Sequence, residues 1–265
     1  INKFIVINVF AFLSRYITSY GLIILILTVL IKLVLFPLTF KSYKSQAKMR
    51  VLKPMVDEVN AKYPRKEDAM KKQQAVMALY KRAGVSPMGG CLPMLIQFPF
   101  LIAMFRFFPA SFELRQKSFL WADDLSSYDS VLQLPFNIPF YGDHVSLFTL
   151  LMAASLITTS LISYKQTASS SPQMPGMKFM MLYMMPIMML LWFNDYSSGL
   201  SYYYLLANLI TIAQTLVIRR TIDEKALLAR LQQNAANPPK KSGFMARLEK
   251  MQQEQQRRVQ QSKKR

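Results

Sequence analysis

Apolar residues in this chain come in long blocks, separated by short charged or Pro/Ser-rich stretches. The first block, residues 20–38, is nearly all Ile, Leu and Val yet carries Lys32 near its middle. As α-helix at about 1.5 Å per residue, it comes close to the roughly 30 Å hydrocarbon core of a bilayer. Similar blocks recur, so the pattern predicts five spans, at 20–40, 91–108, 145–164, 177–193 and 200–218. Residues 1–19 are broken by Asn2, Lys3, Asn8, Ser14, Arg15 and Thr18, too polar to span. They read as an interfacial amphipathic helix, with Tyr16 and Tyr20 at headgroup level. In residues 41–90, Met49, Leu52 and Val56 form one helical seam, Val76, Leu79 and Tyr80 another, and Pro64 lies between them. That spacing predicts a helical hairpin. Residues 109–144 form a polar connector whose prolines and turn residues suggest short elements rather than a domain. A loop at 165–176 and a turn at 194–199 join the later spans. The tail, 219–265, holds a short helix through 223–233 and then a partly disordered arm beyond Asn237-Pro238-Pro239. The expected fold class is all-α: a polytopic membrane protein with a five-helix transmembrane bundle, a cytoplasmic helical hairpin and a hydrophilic groove.

Composition sharpens the class. Hydrophobic residues make up 52% of the chain, with 18 Met and 18 Phe. A net charge of +19 raises the question of nucleic acid, but the bases sit between and after the apolar blocks. Residues 41–90 hold twelve Lys/Arg against four acids, and residues 219–265 thirteen against four. The connector has five acids against Arg115 and Lys117. This asymmetry predicts the amino end outside and the carboxyl end in the cytoplasm, which an odd number of spans satisfies. It also points to anionic lipid, with ribosomal RNA as an alternative partner for the tail. The lone Cys91 excludes an intrachain disulfide, and the lone His144 leaves no material for a His-rich zinc site. No G-x-x-x-x-G-K-[ST] loop is present. No cofactor and no metal are expected. Beginning at Ile1 rather than Met, the chain reads as processed or as a fragment, with no legible signal peptide.

Three polar stripes carry the candidate chemistry. A lysine at the depth of Lys32 costs roughly 2.5–3.5 kcal/mol on insertion scales. Thr28 and Thr39 share its helical face. Lys41, where the charged segment begins, is about 13 Å further along the helix. A lysine stem spans about half of that, which favours an interior role over snorkelling to a headgroup. Gln97 lies on a second span bent by Pro93 and Pro99, while Arg106 near its outer end snorkels. On the fifth span Tyr204, Asn208, Thr211 and Thr215 recur at i, i+4, i+7 and i+11, a single polar face. Turned toward one another, these stripes line a watery groove open to the cytoplasm and sideways to lipid. A positive charge there attracts an acidic peptide segment more strongly than it does in bulk water. Ser155, Thr158, Thr159 and Ser163 on the third span read as packing residues. The methionines of the fourth span, among them Met180, Met184 and Met188, fill irregular gaps or present an adaptable apolar surface.

The run Gly84-Val85-Ser86-Pro87-Met88-Gly89-Gly90-Cys91-Leu92-Pro93-Met94-Leu95-Ile96-Gln97-Phe98-Pro99 resembles the signature of the YidC/Oxa/Alb family of membrane protein insertases. Phe36-Pro37-Leu38-Thr39, Ala47-Lys48-Met49-Arg50, Ser198-Gly199-Leu200, Tyr203-Tyr204 and Asn208 support the resemblance, which covers roughly residues 20–218. It implies a non-enzymatic insertase and chaperone of the bacterial inner membrane. Five core helices would form a groove that receives the polar tail of a nascent membrane protein. The groove positions map onto Lys32, Gln97, Tyr204, Asn208 and Thr211. Where the family usually has arginine this chain has Lys32, a point charge in place of a planar bidentate donor. Gram-negative members carry a further helix and a large periplasmic domain ahead of this region. The basic hairpin, with Lys48 and Arg50, and the tail, ending Lys263-Lys264-Arg265, are candidates to dock a ribosome, a targeting receptor or the Sec translocon. The hairpin also reads simply as a solvated topology signal. Two competing classes are weaker. A solute transporter predicts internal repeats, and none is found. An intramembrane protease lacks both H-E-x-x-H and a serine elbow.

Overall fold

Helix α2, Tyr20–Val51, is a single rod of 32 residues, or about 48 Å. The computed structural model describes residues 6–65, 68–85, 92–167 and 179–236. The basic stretch that follows residue 40 is the last three turns of this rod rather than a separate arm. Its Lys, Gln, Ala, Met and Arg residues are all good helix formers, and no Gly or Pro interrupts them before Pro54. The remaining helices are α1 (Ile7–Leu13), α3 (Lys53–Ala61), α4 (Ala69–Arg82), α5 (Leu92–Ala110), α6 (Leu147–Thr167), α7 (Met185–Phe193), α8 (Ser198–Thr221) and α9 (Glu224–Ala236). A π-helical turn, Met180–Met184, leads into α7. Among the described residues three helices, α2, α6 and α8, are long and apolar enough to cross a membrane, and the segment through α7 is a shorter apolar helix. The protein is thus mostly helical.

One strand pair departs from the all-α expectation. β1 (Leu132–Ile138) and β2 (Gly142–Val145) form an antiparallel hairpin with an irregular register between Gln133 and Ile138. The period-2 run Leu132, Leu134, Phe136, Ile138 carries the strand signal, and Pro135, inside β1, with Pro139 just after it, masks it.

Two cores hold the chain. In the larger, α8 packs against α2 and α6. Ile23, Ile24 and Leu27 of α2 meet Met104 and Phe108 of α5, Phe148 of α6 and Leu200 and Tyr203 of α8. The seven-residue α1 joins it through Phe10, whose ring meets Phe107 and Tyr20 at 5.3 and 5.8 Å. The smaller core lies at the opposite end of α2. There Met49 and Leu52 pack with Val56, Val76, Tyr80 and, from α9, Leu231. Asp223 receives the Lys225 and Ala226 backbone N–H groups at 2.9 and 3.1 Å and so caps α9.

The connector locks the amino-terminal ends of α2, α6 and α8. Ser198 and Gly199 N–H donate to the Ser127 and Leu125 carbonyls at 2.6 and 3.0 Å. A Cβ at Gly199 would sit 2.8 Å from that Leu125 oxygen, and one at Gly21 would enter the Phe119 ring. The Asp129 carboxylate is buried at the start of α6. It accepts from Leu147 N, Phe148 N and Trp121 Nε1 at 2.9, 3.1 and 2.9 Å, and from the Ser146 hydroxyl. A negative charge at this helix end also opposes the macrodipole. Asn194 ties the turn after α7 to β2, accepting from Ser146 N at 3.1 Å and donating to the His144 carbonyl at 2.9 Å.

Asp129→Ala strands four donors in a buried site, where hydrogen bonds to a charged group contribute about 1.5–3 kcal/mol each. The expected destabilisation is about 3 kcal/mol or more, with Asp129→Asn recovering part of it. Thermal unfolding in detergent, followed by tryptophan fluorescence, measures it. An unchanged midpoint for the alanine variant would show the carboxylate to be dispensable.

Candidate functional site

A long apolar helix leaves a lysine two choices, lipid or a polar neighbour, and Lys32 takes the neighbour. It is 7% exposed, and its Nζ donates to Thr211 Oγ1 on α8 at 2.9 Å. Thr211 Oγ1 in turn donates to the Ala207 carbonyl at 2.7 Å, so the hydroxyl that receives the ammonium is oriented by its own helix. Among the described residues Lys32 has no carboxylate partner. A buried cation normally demands a counter-ion. Here one neutral oxygen stands in for it.

The hydroxyls around this contact are similarly occupied with their own helices. Thr28, fully buried one turn before Lys32, donates to the Ile24 carbonyl at 2.6 Å, and Thr215 to the Thr211 carbonyl at 2.7 Å. Thr215 is also hydrogen-bonded to the Tyr43 hydroxyl on α2. Lys32 and Tyr43 therefore meet Thr211 and Thr215 along one α2–α8 seam, with Thr28 one turn before Lys32 on α2. The seam runs out into a cleft lined by Tyr43, Ala47, Arg50, Thr215, Ile218, Arg219 and Ile222.

The remaining predicted residues lie elsewhere on the seam or off it. Asn208 turns toward α6, its Nδ2 donating to Ser155 Oγ at 3.0 Å, while Ser155 donates to the Met152 carbonyl at 2.7 Å. The Tyr204 hydroxyl is enclosed without a hydrogen-bond partner among the described residues, and its ring meets Phe193 edge-on at 5.7 Å. Gln97 is half-buried on α5, and among the described residues no hydrogen bond joins it to Lys32. Arg50 pairs with Glu224 at the foot of α9, and its Nε is buried without a partner among the described residues. Lys48 lies near the like charges of Lys44 and Arg230. Lys263, Lys264 and Arg265 lie outside the described residues. Tyr43 and Ser155 are the members of the polar seams that the sequence pattern did not assign to the site. Tyr43 carried a signal, since it lies eleven residues, or three turns, beyond Lys32 on the same face.

Comparisons with known proteins bear on this arrangement. The family model described as 60Kd inner membrane protein matches residues 12–225. The membrane protein insertase YidC of Parabacteroides distasonis is 54% identical over 260 residues, covering 97% of this chain and 41% of that protein. The YidC of Bacteroides fragilis is 55% identical over 258 residues, covering 96% and 42%. That of Porphyromonas gingivalis is 49% identical over 272 residues, covering 100% and 43%. The chain thus spans about two fifths of the length of these curated relatives. A crystal structure described as an active YidC insertase with its first transmembrane domain resolved aligns with a TM-score of 0.55 at 27% identity. That alignment covers 80% of this chain and 45% of the solved one. The matched region takes in α2, α8, the connector between them and the start of α9, and with it the whole Lys32 seam, so the chain belongs to the 60Kd inner membrane protein family, the YidC/Oxa/Alb insertases.

Proposed function

We propose that this chain is the membrane-embedded core of an insertase and chaperone for membrane proteins, and that the Lys32 seam is where an incoming polar segment is first held. The observation that carries the reading is the buried ammonium whose one hydrogen-bond acceptor among the described residues is a hydroxyl. An arriving carboxylate offers Lys32 a better acceptor than Thr211, because it adds an opposite full charge where the threonine hydroxyl brings only a neutral dipole. The attraction is larger in a partly dehydrated seam than in bulk water. A point charge without fixed fork geometry accepts acceptors from many directions, which suits substrates of varied sequence.

In this reading five spans, formed by α2, α5, α6, the segment through α7, and α8, enclose a hydrophilic groove open to the cytoplasm. The amino end of the chain lies outside and the carboxyl end inside, in the bacterial inner membrane. Gln97, Tyr204 and Asn208 extend the polar path beyond the Lys32–Thr211 contact. The enclosed Tyr204 hydroxyl, which has no partner among the described residues, supports this extension. The substrate's own apolar span then leaves sideways into lipid. Burial of apolar surface at about 25 cal/mol per Å² supplies the driving force, so nucleotide hydrolysis is not needed. The basic end of the molecule receives the delivering machinery, whether ribosome, targeting receptor or Sec translocon, and rests on anionic lipid. Arg50 is already engaged with Glu224. Docking therefore falls to the flank that carries Lys48 and to the tail with Lys263, Lys264 and Arg265, through which ribosomal RNA can also be contacted.

Three measurements test this. In proteoliposomes Lys32→Arg is expected to keep insertion of a reporter span, whereas Lys32→Glu abolishes it; equal activity of the two would end the electrostatic account. Lys32→Met removes an unpaired buried cation, so its thermal midpoint in detergent holds or rises while insertion is lost. A fall in both would make Lys32 a structural residue. Deleting the residues after Asn237 lowers ribosome co-sedimentation, and the binding that remains in the intact chain weakens steeply between two salt concentrations if phosphates are the contact.

A further inference from the structure

The β1–β2 hairpin raises a separate question. Six of the seven residues of β1 are exposed, on both faces of the strand, and Leu134 alone among them is half-buried. Yet its side chains include Leu132, Phe136 and Ile138, and the turn beyond it carries Phe140. Phe136 is 61% exposed and Phe140 90%. From residue 130 to residue 142 there is no charged side chain. An isolated two-stranded hairpin is marginal in water, and a contiguous apolar surface of this kind marks a contact site. Phe140 also holds a φ of 68°, a region that bulky residues rarely occupy. The turn is closed behind it by Tyr141 N donating to the Ile138 carbonyl at 3.0 Å.

The position of the tip indicates what covers it. Asn194 Nδ2 donates to the Tyr141 carbonyl at 2.7 Å, and a Cβ on Gly142 would meet Asp195 Oδ1 at 2.9 Å. Asn194 immediately follows the last residue of α7 and lies four residues before the first of α8, while β2 continues through Ser146 directly into α6. The tip is therefore pinned at the level where the membrane-length helices α6 and α8 begin. Trp192, on the last turn of α7, is 64% exposed beside this junction. Tryptophan and other aromatic rings concentrate at the membrane–water boundary. Pro135 and Pro139 remove backbone donors from the β1 side, which disfavours capture of another strand and leaves side-chain burial as the available contact.

From this juxtaposition we infer that the hairpin is an interfacial anchor: Phe140, with Phe136, Ile138 and Trp192, seats in the headgroup–acyl boundary of the leaflet at the amino-terminal ends of α6 and α8. Its ligand is a lipid surface, recognised by apolar insertion rather than by charge. The anchor would hold the connector against the bilayer at the end opposite the smaller core.

The test uses the full chain with Cys91→Ser and a single Phe140→Cys, labelled with an environment-sensitive dye and reconstituted into vesicles. A label at such an exposed position displaces no packed neighbour, and Asp123→Cys, elsewhere on the connector, serves as the aqueous control. The Phe140 label is expected to emit to the blue of the control and to lose emission when the acyl chains are brominated near the headgroup. The loss is the same in purely zwitterionic vesicles as in vesicles with added anionic lipid. Water-like emission at position 140, or quenching that requires anionic lipid, overturns the anchor. A label that is water-like in vesicles but shielded in native membranes overturns it in favour of a protein partner.

Discussion

Across the α2–α8 contact the Lys32 ammonium rests on the Thr211 hydroxyl at 2.9 Å, and among the described residues no carboxylate stands beside it. An unpaired charge in such a place is tolerated when the surrounding frame is firm enough that the helices neither splay to flood it nor shift to expose it to lipid. Several features of the molecule serve that constraint. Thr28 and Thr215 turn their hydroxyls onto their own helices, which removes competing donors from the seam while keeping its walls narrow. Ile23, Ile24 and Leu27 on one side of α2 are buried, whereas Leu22, Val29 and Leu33, 46%, 38% and 60% exposed, lie on the opposite side, where only lipid would cover them. Lys32 thus sits on the boundary between the packed and the open sides of its helix.

The two ends of the bundle are stabilised by different physics. At the amino-terminal ends of α2, α6 and α8 the connector makes a buried polar lock. Asp129 gathers four donors, Asn194 bridges two elements, and the close approaches at Gly21 and Gly199 leave no room for a side chain. Fully satisfied networks of this kind define a single arrangement, because every alternative strands a group. The opposite end is held by a small apolar core shared among α2, α3, α4 and α9, with the Arg50–Glu224 pair at its edge. An exposed pair adds little stability, and apolar contacts slide more easily than directional bonds.

Local pattern carried a good deal of this. Block length separates membrane-crossing helices from their connections, because hydrocarbon thickness sets the number of residues. The depth of Lys32 follows from counting to the nearest charge, and the single polar face of α8 from the 3.6-residue period. The β1 strand was written in a two-residue alternation, but two prolines spoke against it. The seams of Met49, Leu52 and Val56 and of Val76 and Tyr80 were likewise visible as faces without a stated partner.

Periodicity names the face of a helix but not what lies opposite, and that is where packing had to decide. Tyr204, Asn208, Thr211 and Thr215 share one stripe, yet Thr211 meets Lys32 on α2, Asn208 meets Ser155 on α6, and Tyr204 meets neither, because the stripe winds across the crevice between two neighbours. Arg50 reads as a free surface base, but α9 folds back more than 170 residues later in the chain and brings Glu224 to it. Contacts of that sequence separation depend on how whole helices stack, so the types and spacing of nearby residues leave them open.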